Sequence, residues 1–186
     1  VLMRKMQRLP KRDQVPAEDT WDLASLFDDD AAWEAAFERY ERRIQGYEKF
    51  RGQLGDSAAM LAKCLEFDSQ FDRLGERLGV YAFLRTAEDQ TNSAYQRLLG
   101  RYQSAATRAA EAASYIRPEL LALPVARLRK LIAHEAMSLY RLAMARLLRF
   151  KPHTLGRKEE ELLAMQGEMA QAASRAFRQL HDSDLK

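Results

Sequence analysis

Cysteine is almost missing from this chain. Cys64 is the single one among 186 residues, so no disulfide can form within the chain and a reducing compartment is the simpler expectation. Glycine and proline are scarce as well, at eight and five, so helices have few breakers and elements should be long. No run approaches the roughly 18 apolar residues of a membrane-crossing helix. The first ten residues hold no apolar stretch of the kind a secretory leader carries. These absences give the expectation of a cytoplasmic protein with no membrane partner. The net charge is a mild +3 and no concentrated basic face is interleaved with aromatics, which argues against a nucleic-acid partner. No Gly-rich phosphate loop and no nucleophile elbow occurs.

What is present is helical pattern. Hydrophobic residues make up 47% and charged residues 31%, ordinary for a helix-rich soluble chain able to bury a core. Residues 1–13 carry Arg4, Lys5, Arg8, Lys11 and Arg12 and are expected as a flexible basic arm. From Asp13 to Glu34 the charge reverses, and the acids read as helix caps, since they lack the spacing of a calcium loop. Thr20 or Asp19 is expected to cap a short helix carrying Trp21, Leu23, Leu26 and Phe27. Asp29 or Asp30 should cap the next, which runs to Phe50 with Trp33, Phe37, Tyr40, Ile44 and Tyr47 at steps of three and four. Such a stripe can be core or a binding surface, and helical spacing favours core.

Asp56 or Ser57 opens a long helix to about Ala87, with Gly75 and Gly79 inside it, where a partner helix can approach closely. Each glycine weakens the helix by about 1 kcal/mol relative to alanine. Thr91 or Asn92 opens a second long helix to about Tyr115, alanine-rich in its later half. Two long helices joined by a short polar turn make an antiparallel hairpin. Pro118 and Pro124 are expected at first helical positions, opening helices 118–122 and 124–134. Further helices are expected over 139–150 and 157–181, the last with Leu162, Met165, Met169, Phe177 and Leu180 along its stripe. No clear strand and no repeat of fixed period is found. The expected fold class is all-α, antiparallel long helices with shorter ones in a bundle or array.

Residues with catalytic chemistry are few. His134-Glu135-Ala136-Met137-Ser138 begins like the H-E-x-x-H zinc motif, which needs two imidazoles four apart on one helix face. Ser138 stands where the second imidazole belongs. His153 and His181 are isolated in sequence, and Cys64 sits near Glu66 and Asp68, which disfavour a thiolate. No catalytic, cofactor-binding or metal residue is assigned, and this chain by itself is expected to bind no zinc and hydrolyse no peptide. The third quarter is basic, with Arg117, Arg127, Arg129, Lys130, Arg141, Arg146, Arg149 and Lys151 against Glu119 and Glu135. It supports a non-enzymatic alternative, a helical adaptor or scaffold binding a protein partner or an anionic surface.

The stretch Phe150 to Ala164 carries the most information. Lys151-Pro152-His153-Thr154 breaks a helix. Gly156-Arg157-Lys158-Glu159 starts another, with Glu159 to Glu161 at the positive end of the helix dipole. The run Arg149 to Leu155, with Glu159-Glu160 and Leu162-Leu163-Ala164, resembles a signature of the oligoendopeptidase F family, the thimet-like zinc peptidases. Gly156 departs from the serine usual there. Further stretches match in order: Trp21-Asp22-Leu23 with Leu26-Phe27, Trp33-Glu34, Gly52 and Leu54, Tyr81-Ala82 and Leu84, Asn92 to Arg101, Ile116 with Pro118-Glu119, and Leu180 with Asp184-Leu185. The resemblance runs from about Gln14 to Lys186.

It implies that residues 14–186 form the helical N-terminal domain of a longer peptidase whose catalytic region, with its zinc motif, lies downstream. The parent enzyme would hold zinc and cleave short peptides. This portion would form one wall of a deep channel that selects unfolded oligopeptides by shape. The implied partners are an oligopeptide and the C-terminal catalytic region, and a homo-oligomer is compatible with the resemblance.

Overall fold

The computed structural model describes residues 14–153 and 172–179. Among them every regular element is helical and none is a strand, so the fold is all-α. The chain divides into two compact units, residues 1–141 and 142–186.

In the first unit, Ala17–Asp19 and Leu23–Ser25 are single 3-10 turns, not the short helix expected across Trp21 to Phe27. The cap is Asp22, whose carboxylate accepts from the Ser25 amide and closes a local turn that competes with a helix. Trp21 is 66% exposed while Phe27 is buried. Helix α1, Asp30–Arg43, starts at Asp29, whose side chain accepts from the Ala32 amide. It stops short of the expected Phe50 and tightens into a 3-10 segment, Ile44–Phe50. Residues three apart eclipse in a 3-10 helix, so Ile44, Tyr47 and Phe50 come onto one side; Tyr47 and Phe50 are buried there.

Helix α2, Ala58–Glu88, is capped by Ser57, and helix α3, Ser93–Ala113, by Asn92, whose carboxamide oxygen accepts from the Ala94 and Tyr95 amides. The two pack on each other as the expected hairpin. Helix α4, Ile116–Ala122, begins two residues before Pro118, which therefore sits third. The first amides of a helix have no internal acceptor, so a missing N–H is as harmless there as at the first position. Pro124 caps helix α5, Val125–Ala133, from outside. Glu135–Tyr140 is a 3-10 segment, so helix α6, Arg141–Phe150, starts two residues later than expected.

Aromatic rings bind α1 to α2. Trp33 stacks on Phe37 at 4.9 Å and donates its indole N–H to the Leu78 carbonyl at 3.0 Å. Tyr40 lies 4.3 Å from Phe71, and Tyr47 meets Phe71 edge-on at 5.3 Å. The stripe read from α1 is thus core, each ring giving up a large apolar area to its neighbours. The two glycines of α2 mark close approaches. A Cβ on Gly75 would come within 3.1 Å of the Tyr40 ring, and one on Gly79 within 2.6 Å of the Tyr102 ring.

The second unit holds the rest of α6, then a 3-10 turn, Lys151–His153, and helix α7, Ala172–Gln179. The α-helix thus ends where Pro152 predicts, though the chain winds on for one tighter turn. Residues 1–13, Thr154 to Ala164, Met165, Met169, Leu180 and His181 lie outside the described residues. Within α7, Phe177 is 64% exposed.

Candidate functional site

Many of the stretches that carried the family resemblance meet in pairs. Phe27 packs edge-on against Tyr81 at 5.5 Å. The Tyr81 hydroxyl donates to Asp30 at 2.7 Å, and Arg85 donates to both oxygens of the same carboxylate. Burial alone would raise the Asp30 carboxyl, but the hydrogen bonds from Arg85 and Tyr81 outweigh it and hold it below its ordinary value. Arg101 grips Glu34 with two N–H groups, at 2.7 and 2.5 Å, and lies 4.6 Å over the Phe37 ring. Glu119 accepts from the amides of Gly52 and Leu54, each at 2.8 Å. These residues bind one part of the helical fold to another.

The residues with conspicuous chemistry are put to similar use. His134 caps the Glu135–Tyr140 segment, its Nδ1 accepting from the Ala136 amide at 3.2 Å. Glu135 accepts from Arg141, and Ser138 is exposed. His153 is exposed at the turn after α6. Cys64 is fully buried; burial, then Asp68, pushes its thiol up to about 11. Within the basic quarter, Arg127 donates to the Gly55 carbonyl at 2.7 Å and the Asp56 carbonyl at 2.7 Å, capping a turn. Among the described residues no three His, Cys, Asp or Glu side chains cluster to hold a metal, so these residues do not fit a zinc ion.

A different constellation gathers where α1, α2 and α3 meet. There the structure opens a cleft of about 320 Å³. One wall is a carboxylate row, Asp68, Asp72 and Glu76, at successive steps of four along α2. Such a row shares one face with like charges about 6 Å apart, an unfavourable arrangement without counter-charge. The opposite wall is the small face of α3, Ala106, Ala109, Ala110 and Ala113. Tyr40, Tyr47 and Tyr102, with Phe71 and Gly75, complete it. Tyr47 donates its hydroxyl to Asp68 at 2.7 Å. Burial, with Asp68 and then Glu76 adding like charge, raises the Asp72 carboxyl above its ordinary value. Burial, then Tyr102 and Asp72, pushes the Tyr40 hydroxyl up to about 12.

Sequence reasoning assigned Tyr40 to the core. The missed signal was the third acid at the same spacing, Glu76, with no basic residue four positions along to neutralise it. A second groove, of about 500 Å³, lies over Phe50 and Phe67. It carries its own cation, since the Lys49 ammonium stands 4.8 Å from both ring centres.

Comparison with known proteins gives a consistent answer. A family profile described as Oligopeptidase F matches residues 119–186. Oligopeptidase PepF of Bacillus subtilis is 37% identical over 184 residues, 98% of this chain and 27% of that protein. The plasmid-borne oligoendopeptidase F of Lactococcus lactis is 30% identical over 181 residues, 94% of this chain and 30% of that protein. The crystal structure of oligoendopeptidase F from Enterococcus faecium matches with a TM-score of 0.67 and 28% identity, over 81% of this chain and 29% of that one. The chain spans less than a third of the length of these relatives. Over nearly its whole length, it resembles the N-terminal helical region of the oligoendopeptidase F family.

Proposed function

We propose that this chain is the N-terminal helical portion of an oligoendopeptidase F-like zinc metalloendopeptidase that hydrolyses short peptides, and that it forms part of the substrate channel. The observation that carries the reading is the match to oligopeptidases along 98% of this chain but only 27% of the relative, which leaves ample length elsewhere for a catalytic region. In this reading the zinc is held by that other region. Zinc there would activate water and polarise the peptide carbonyl. The residues described here would contribute rigidity and shape. The pairs Phe27–Tyr81, Glu34–Arg101 and Gly52–Glu119 hold a helical wall against which an extended peptide can lie. The cytoplasm remains the compartment expected of such an enzyme.

The adaptor alternative has less support, because Arg127 and Arg141 spend their donors on backbone carbonyls and Glu135 within the unit. The test is complementation. The chain and the separately expressed C-terminal region of the longer protein are mixed, and hydrolysis of a fluorogenic oligopeptide is followed. The expected result is that the mixture regains activity or length selectivity that the C-terminal region lacks alone. Equal activity and equal selectivity with and without this chain would refute the channel role.

A further inference from the structure

We propose that the cleft between α1, α2 and α3 is a binding site for a primary ammonium group, presented by a peptide as a lysine side chain or as a free N-terminus and held by Asp72, Glu76 and the Tyr40 hydroxyl oxygen. That the ammonium belongs to a peptide rests on the oligopeptidase reading; that the cleft takes an ammonium does not.

Two independent observations meet there. The first is uncompensated charge. The carboxylates Asp68, Asp72 and Glu76 line one cleft, and among the described residues no Lys or Arg pairs with any of them. Elsewhere the unit places arginines against its acids, as at Asp30, Glu34 and Glu41. The second is an unmet hydroxyl. Tyr40 is 4% exposed and lines the cleft, yet its oxygen has no hydrogen-bond partner among the described residues. The ring is held in place by Phe71 at 4.3 Å and by the bare backbone of Gly75, another lining residue. The Tyr40 oxygen is not sealed off, so a donor entering the cleft can reach it.

The chemistry selects the ligand. An ammonium offers three donors and no acceptor, so it needs several acceptors around one point. Two carboxylates and a tyrosine oxygen supply them, and tyrosine faces add attraction for a cation. A flat, forked guanidinium prefers one carboxylate taken by both its edges, whereas these carboxylates are spread along a helix. The alanine face of α3 leaves a smooth apolar strip for a four-carbon stem.

The test uses the chain with three blocked or unblocked probes, followed by amide and tyrosine chemical shifts in NMR titrations. N-acetyl-lysine amide presents the side chain, unblocked alanyl-alanine amide presents the terminus, and N-acetyl-norleucine amide presents the stem without charge. Binding of either amine with shifts at Tyr40 and Asp72, and none of norleucine, supports the proposal and identifies the source. Asp72→Asn should weaken that binding about tenfold or more, and Tyr40→Phe should weaken it about two- to tenfold. Glu76→Gln, on the exposed rim, gives a second charge variant should Asp72→Asn disturb the fold, and Glu38→Gln, outside the cleft, should change nothing. Binding of neither amine, equal binding of norleucine, or equal binding to the wild type and both acid variants would overturn the site. Because the readout is binding to this chain, a failed complementation assay would leave it standing, and a failed titration would leave the oligopeptidase reading standing.

Discussion

The Glu119 carboxylate holds the turn at Gly52, 67 positions earlier in the chain. Its two oxygens accept from the Gly52 and Leu54 amides at 2.8 Å each. Gly52 has φ +75, the single positive φ among the described residues. A β-carbon there costs about 1–2 kcal/mol even though space is open around it. Glu119→Ala removes both acceptors and should lower stability by about 1–3 kcal/mol, read as a shift in the urea midpoint. Gly52→Ala should cost that same amount, about 1–2 kcal/mol. The pair should lose less together than the sum, since a strained turn no longer presents its amides well. Strict additivity would mean the contact does not hold the turn.

The two tryptophans should report opposite environments. Trp33 is fully buried and bonded to Leu78, whereas Trp21 is 66% exposed. Iodide should quench the Trp21 component and leave the Trp33 component largely untouched. Trp21→Phe should leave a blue-shifted, unquenched spectrum at little cost in stability. Trp33→Ala should cost about 3–5 kcal/mol. A freely quenched Trp33 would show that the α1–α2 core is not packed as described.

Acid should strip ion pairs that anchor α1. The Arg101 hydrogen bonds hold Glu34 below its ordinary 4.5, and Arg85 and Tyr81 hold Asp30 below its ordinary 3.8. A carboxyl with a depressed folded pKa stabilises fully above its unfolded value and loses that contribution as pH falls through the folded one. Asp72 is raised, so it acts in the other sense and its protonation on the way down relieves repulsion from Asp68 and Glu76. Urea midpoints should therefore change little down to about pH 5 and drop steeply below about pH 4. Glu34→Gln should start lower at neutrality and show a shallower drop. Both anchors are partly exposed, so added salt should shrink the difference. An unchanged slope in the variant would remove Glu34 from the account.

Cys64 should be inert in the folded chain. It is fully buried, and burial with Asp68 nearby pushes its thiol up to about 11. A thiol-specific reagent at neutral pH should label it only after denaturation, at a rate tracking unfolding. Rapid labelling of native protein would contradict the packing around α2.

Periodicity and punctuation decided the helices, because these depend on residues near one another. The three-and-four spacing of Trp33, Phe37 and Tyr40 made one face apolar wherever that helix packed, and Ser57 and Asn92 cap their own helices through bonds spanning two or three residues. Where local signals were ambiguous, the boundaries moved by a turn, as when Ile44 to Phe50 tightened to a 3-10 segment. The family resemblance was legible for a related reason: the order of its stretches survives even when their partners are unknown. The partners themselves were not legible. That Glu119 reaches Gly52, that Arg101 reaches Glu34, and that Tyr40 ends beside Gly75 in a cleft lined by Asp72 are consequences of how α1, α2, α3 and α4 settle against one another. Those contacts join positions tens of residues apart, and no local rule of spacing, propensity or capping reaches across that distance.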